Sequence, residues 1–430
     1  MAEAEIEVQA KVFVGVDWGR EHHQVHVTDL AGKDLFKCRC EATSGELCEL
    51  VARIGALADA DEVAIGVECT QGPLVEAFLA AGFQVWGINP SKVDRLRDRY
   101  ASSGAKDDRR DAEVIARALR TDGPRAFGRV VGLSEDRQML RDLLHHRVSL
   151  VGQHQALGRR IAEQLHRYHP AVLEASRPED TWFIAFYRAV PTPSSAAGWT
   201  LANAQDFIRQ HRIRRHKAED LLEILRSRRP AVCAATERAA RRVLDDLVDQ
   251  LELVDRQVRC VEKDIRTYLD KVSATSRGPR EDESLAGPSD VEIALSVPGY
   301  GPTVVGLLLT ECGGTLLDRG YPALRLLSGV APVTQMTGKR QTERRGLVRM
   351  RKSCNKTLRQ ALLMAALNAV RHDAHFKEVF AQMRARGLTV FRARRQIADQ
   401  LLRRLAAMLR TRTLYDPAKV KIPRPAMIAA

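Results

Sequence analysis

An α/β N-terminal domain followed by a mainly helical remainder is the fold class that this 430-residue sequence predicts. Three observations carry it. Short apolar runs alternate with helical segments near the N-terminus, apolar residues spaced three and four apart fill the middle, and the last third is Arg-rich and helical in pattern.

Residues 11–17 form an apolar run that ends in Asp17-Trp18-Gly19, and residues 24–28 and 35–40 read as two further strands joined by short polar turns. The pattern then changes to a helix over 44–58, a buried strand over 63–68, a helix over 73–81, a strand over 84–89 and a helix from Asp108. The order βββαβαβα is that of ribonuclease-H-like domains, in which the first strand is central and the fourth lies beside it.

The helix from Asp108 carries acids where a helix normally carries core. Ala112, Ile115, Ala116 and Leu119 line one stripe, and Asp108 and Asp111 continue it toward the N-terminus. Taken alone, Asp108 fits an N-cap and Asp111 a dipole-favoured first turn. In the predicted topology, however, Asp17 and Glu68 end neighbouring strands at the same sheet edge. Four acids gathered there repel one another and need a divalent cation, and two Mg²⁺ ions roughly 3.5–4 Å apart would serve both attacking and leaving oxygens of a phosphodiester. His22, His23 and His26 read as hairpin residues, either solvent-facing or satisfied.

The net charge of +14, with Arg outnumbering Lys, points to a polyanionic partner and makes nucleic acid the default. No apolar run approaches the roughly 18–20 residues of a membrane-spanning helix, and the acidic N-terminus lacks a signal-peptide core, so the expectation is a soluble, cytoplasmic protein without a membrane partner. Eight cysteines show no C-x-x-C pair and no zinc-finger spacing with histidine, and read as reduced thiols.

From Ser134 a long helix runs to about residue 168. A second is defined by Leu244, Leu247, Leu251, Val254, Val258, Val261, Ile265, Tyr268 and Val272, a coiled-coil seam over four heptads. Periodicity leaves open whether it closes on the first helix or on a second protomer. Between them, a basic run over 209–217 fits either a solvated helix face or nucleic-acid contact. Residues 274–290 are polar and turn-rich, a linker. The expected domains are therefore 1–125, 126–285, 286–415 and a tail at 416–430.

The last domain opens with a glycine-bounded turn at Gly299 and Gly301, suited either to presenting backbone N–H groups to phosphate or to a plain tight turn. Thr337 then precedes Gly338, Lys339 and Arg340, and Arg344, Arg345, Arg349, Arg351, Lys352 and Arg359 follow against the single acid Glu343. A hydroxyl among such cations is placed, by composition, to meet a phosphodiester.

Taken in order, Gly15-Val16-Asp17-Trp18, Gly66-Val67-Glu68, Lys106 to Glu113, Pro298 to Gly301, Gly329 to Pro332 with Thr337 to Arg340, and Arg351 to Arg359 resemble the DEDD insertion-sequence transposases of the IS110 family. The resemblance covers nearly the whole chain. It implies a RuvC-like domain whose Mg²⁺-binding tetrad, with Mn²⁺ able to substitute, matches Asp17, Glu68, Asp108 and Asp111. It also implies a coiled coil for assembly into a homo-oligomer, dimer or tetramer, and a C-terminal domain with a nucleophilic serine. Family members recombine donor and target DNA under a structured bridge RNA, in a composite site drawn from different protomers. A bacterial, nucleoid-associated location follows from that activity. The chain departs from the family at Thr337, where serine is common, with Ser353 and Cys354 lying further along. Threonine keeps the hydroxyl but adds a β-methyl that crowds attack on phosphorus.

Three rival readings remain. A Holliday-junction-resolvase-like nuclease would drive metal-activated water and need no Thr337. A sugar-kinase or actin-like ATPase would need a second Asp-x-Gly hairpin and a glycine-rich adenosine loop, which the sequence lacks. A non-catalytic nucleic-acid scaffold would leave the acids without Mg²⁺.

Overall fold

The computed structural model describes residues 10–89, 92–94, 96, 108–123, 127–227, 232–276, 287–312, 320–335 and 347–419. The chain forms two compact units, one of Met1–Gln138 with Ser276–Ala430 and one of Met139–Thr275.

The first unit opens with β1 (Val12–Asp17), β2 (His22–Asp29), β3 (Asp34–Glu41), α1 (Ser44–Gly55), β4 (Val63–Val67), α2 (Pro73–Ala80), β5 (Gln84–Gly87), α3 (Asp108–Asp122) and β6 (Gly128–Arg129). The strands make one mixed sheet in the order β3-β2-β1-β4-β5-β6, with β1 parallel to β4 and β4 to β5, and the hairpin strands antiparallel. The first strand is thus central, as the element order predicts. The short β6 edge strand was not legible, because a two-residue Gly-Arg strand carries no period.

Alternation along β1 and β4 divides the core. Val12, Val14 and Val16 pack with Leu50 and Ile54 of α1 and Leu74 and Phe78 of α2. Phe13 and Ala64 face the other way, onto Val114, Ile115, Ala118 and Leu119 of α3. On that second face the positions two residues on are Gly15 and Gly66, paired in register. A Cβ at Gly15 would overlap the Ala112 carbonyl and the Ala116 nitrogen, and one at Gly66 would lie 2.7 Å from Ile115 Cγ2. Helix α3 therefore rests on bare backbone of the two central strands.

Helix α4 (Glu135–Tyr168) leads into the second unit, which continues with the short helices α5 (Ala171–Ala175), α6 (Phe183–Ala189), α7 (Pro193–Ala197), α8 (Leu201–Gln210) and α9 (Ala218–Arg226), and with α10 (Ala234–Ser276). The apolar seam of α10 is buried at Leu244, Leu247, Leu251, Val254, Val261, Ile265 and Val272. Arg147 pairs with Glu262 at 2.7 Å, and His154 Nε2 lies 3.0 Å from Asp255 Oδ1. Seven residues forward on one helix match seven backward on the other, so α4 and α10 run antiparallel within this chain. Such partly exposed pairs contribute up to about 1 kcal/mol each and set register, while the apolar stripe supplies most of the adhesion.

The first unit resumes with α11 (Asp290–Ser296), α12 (Pro302–Glu311), α13 (Tyr321–Leu327), the hairpin strands β7 (Pro332–Gln335) and β8 (Leu347–Met350), α14 (Lys356–His372), α15 (Ala374–Ala385) and α16 (Val390–Thr411). Asn355 joins three of these elements. Its carboxamide oxygen accepts from Leu358 N, its amide donates to Glu311 Oε2, and its backbone N–H donates to Leu327 O.

The Gly15 contact predicts that Gly15→Ala destabilises the first unit by about 1–3 kcal/mol or more, since backbone rather than a flexible side chain must give way. Gly128→Ala, which meets no atom within 4 Å, should stay within about 0.5 kcal/mol of wild type. Denaturant midpoints measure both.

Candidate functional site

Asp17 closes β1, and Glu68 directly follows β4, one residue beyond the Val16–Val67 pair of the parallel ladder. Both continue the alternation set by Gly15 and Gly66, so they extend the sheet face that carries α3. Asp111 stands in the first turn of that helix, next to Ala112, and is only 3% exposed. Asp17 and Glu68 are half-buried. The structure thus brings Asp17, Glu68 and the start of α3 to one edge of the sheet. The side chain of Asp108 lies outside the described residues. Among the described residues, no three His, Cys, Asp or Glu side chains stand close enough together to hold a metal ion.

Beside Asp17 the register continues across the hairpin, where Asp17 pairs with Gln24 and Gln24 with Arg39, and where Gly15 pairs with His26 and His26 with Lys37. Gln24, His26, Lys37 and Arg39 line a cleft of about 250 Å³ with Arg109 and Ala112 of α3. Its lining is cationic on balance, which suits a phosphate group.

The hairpin histidines are not solvent-facing. His23 and His26 are buried, and His22 is half-buried. His26 Nε2 lies 3.0 Å from Asp34 Oδ1. Burial lowers the His26 pKa in spite of Asp34, whose own carboxyl is held low chiefly by its hydrogen bond with Lys37. The two shifts are consistent because His26 is enclosed while Asp34 is 41% exposed, so water screens the carboxylate more than it hydrates the imidazole. Asp34 accepts a hydrogen bond from the His26 ring in this contact. Burial likewise lowers the His23 pKa, with neighbouring His22 adding to it.

In the last part of the chain, Gly299 has φ +80°, and a Cβ there would overlap the Ala365 carbonyl of α14. Close helix packing accounts for that glycine, a reason the sequence did not disclose. Gly301 precedes α12, and a Cβ there would meet nothing within 4 Å. Arg359 donates to the Arg351 carbonyl at 3.0 Å and Arg351 Nε to the Ser353 carbonyl at 3.1 Å, so both help to build the turn before α14, while Lys352 is exposed. Thr337, Lys339, Arg340, Arg344 and Arg345 lie outside the described residues. Arg349 pairs with Val333 in the hairpin, and its side chain is not described. The basic run of the second unit divides similarly. Arg215 is tied to Asp180 and the Ala175 carbonyl and lies over Trp182, whereas Arg212 and Arg214 are exposed. All eight cysteines are free thiols, and no helix of the described residues is long and apolar enough to cross a membrane.

Two family models match this chain, one described as a transposase over residues 14–170 and one described as the transposase IS116/IS110/IS902 family over residues 291–381. A mixed α/β module with acids at its central strand ends, followed by helical modules under these two matches, defines the protein as a transposase. The chain belongs to the IS110/IS116 family. It is 29% identical to a mini-circle putative transposase for IS117 of Streptomyces coelicolor, over 96% of this chain and 97% of that protein. It is 39% identical to the putative transposase y4uE of Sinorhizobium fredii, over 49% of this chain and 59% of that protein. An IS116 insertion-element protein of Streptomyces clavuligerus is 26% identical over 95% of this chain.

The lowered histidine pKa values fix a pH dependence. A buried neutral histidine contributes stability that is complete above the unfolded value of about 6.5 and is lost as pH falls through the lower folded value. Between about pH 7 and pH 5 the wild-type denaturant midpoint should therefore fall more steeply than that of His23→Leu, which removes one such titration. Parallel curves would contradict the assignment.

Proposed function

We propose that this chain cleaves and rejoins DNA strands at the edge formed by Asp17, Glu68, Asp108 and Asp111, on a ribonuclease-H-like, RuvC-like sheet. One observation carries the reading. Helix α3 is seated on Gly15 and Gly66 of the two central strands with Asp111 buried in its first turn, which supports the reading that acids of β1, β4 and α3 serve one site. Hard carboxylate oxygens are the donors Mg²⁺ prefers. The four acids would hold Mg²⁺, two ions in the full site, and bound Mg²⁺ would neutralise charge developing on phosphate oxygens.

The chain's own residues do the rest. The acids fix where the cation would be held, and the cationic cleft beside Gln24 holds and orients the strand entering it. Thr337 is the nucleophile. Its Oγ1 forms a bond to phosphorus as the bond to the leaving sugar oxygen breaks, the hydroxyl proton passing to solvent and the leaving oxygen taking one up. A second strand's hydroxyl then attacks the threonyl phosphodiester, restoring the free Thr337 hydroxyl and joining the new strand. Lys339, Arg340, Arg344, Arg345, Arg349 and Lys352 neutralise DNA backbone, with Arg351 and Arg359 shaping the turn and Gly299 and Gly301 the approach to α12. The modules are 1–125, 126–285 and 286–415, with a tail at 416–430. A structured guide RNA selects donor and target, and the α4–α10 pair, read as a coiled coil, assembles the homo-oligomer.

The test is cleavage of a DNA substrate carrying the ends of the chain's own insertion element, with Mg²⁺ supplied. Asp17→Asn and Asp111→Asn should each lower cleavage at least about a hundredfold. Thr337→Ala should abolish a covalent protein–DNA adduct that Thr337→Ser retains. Full cleavage by Thr337→Ala without an adduct would replace the threonine step by metal-activated water, and unchanged cleavage by Asp17→Asn would overturn the site.

A further inference from the structure

Trp18 directly follows Asp17 and is 49% exposed. Trp86 and Trp182 are buried, and Trp199 is half-buried among Phe186 and Phe207. Indole is the largest apolar side chain, and folding ordinarily covers most of it. Here the chain fixes one in solvent at the mouth of the acid edge. Local geometry defines its place. Gly19 beside it makes a tight turn in which a Cβ would overlap the His22 carbonyl, the Asp17–Gln24 pair closes the ladder just before it, and its ring stands 6.4 Å from the buried His23 ring at a 34° tilt. Two residues on, Arg20 is an exposed cation.

We propose that Trp18 is a stacking platform for an unpaired DNA base next to the phosphate held at Asp17, with Arg20 meeting that strand's backbone. A base has a π-face whatever its identity, so such a platform positions a melted strand without reading its sequence. Stacking fixes the nucleotide, and the phosphate one step away is thereby presented to the acids. The inference rests on the acid-edge reading above, and it makes Trp18 a positioning residue for the DNA strand.

The experiment uses the full chain with a single-stranded oligothymidylate and with an abasic oligomer of equal length, without Mg²⁺, so no cleavage is needed. The emission difference between wild type and Trp18→Phe isolates the signal of Trp18. Oligothymidylate should quench that difference signal, and the abasic oligomer should leave most of it. Trp18→Ala should weaken oligothymidylate binding roughly fivefold to a hundredfold, the weight of one base–aromatic stack, with Trp18→Phe intermediate and abasic binding unchanged. An unquenched difference signal at saturating oligothymidylate, or equal weakening on the abasic oligomer, overturns the platform and leaves the acid edge standing. Failure of the wild-type chain to bind either oligomer overturns the platform and the DNA reading together. Because Trp18 is exposed, Trp18→Ala should keep the wild-type melting temperature, which checks that loss of binding is not loss of fold.

Discussion

The seating of α3 on the bare backbone of β1 and β4 is the contact on which the rest depends. Gly15 and Gly66 are paired neighbours in the ladder, and both lack the atom that would hold the helix away. Without that approach, α3 would stand a side chain's width further from β1 and β4. The packing of this helix on the central strands therefore also sets where its first turn lies relative to the strand ends.

Polar contacts play two different parts elsewhere. Along α4 and α10 the polar pairs Arg147–Glu262 and His154–Asp255 set direction, since they are partly exposed and individually weak, and buried Leu and Val residues bind the helices together. In the C-terminal part the polar ties are structural joints. Asp399 gathers the Arg325 guanidinium and the Tyr321 hydroxyl, and Arg395 reaches the Val330 carbonyl. An Arg-rich composition therefore overstates the number of cations offered to nucleic acid, because Arg325, Arg359 and Arg395 are spent on the chain's own backbone and acids.

The sequence disclosed what is periodic and hid what is close. Strand order, the stripe on α3 and the seam of α10 repeat at fixed spacing, so they were readable. Val258 and Tyr268 on that seam proved half-buried and Leu269 buried, because the helix turns slightly off the ideal heptad. Glycine contacts were not readable. Gly299 looks like a phosphate loop and is a seat for α14, while Gly15 and Gly66 look like ordinary strand residues and seat α3. The direction of closure of α10 was equally hidden, since a heptad does not name its partner. The burial of His23 and His26 followed from the register of β2 against β1 and β3, which polar residues in a hairpin do not announce. Trp18 was seen only as part of a motif, and its exposure needed coordinates.

The central claim is that acids far apart in sequence form one divalent-cation site because a helix is docked on two glycines. Titration calorimetry of Mg²⁺ into the full chain tests it most directly. The account predicts binding to the wild type that is lost in Asp111→Asn and in Asp17→Asn while both variants keep the wild-type melting temperature. Heats identical in wild type and variants, or no Mg²⁺ binding by a folded wild-type chain, would contradict it.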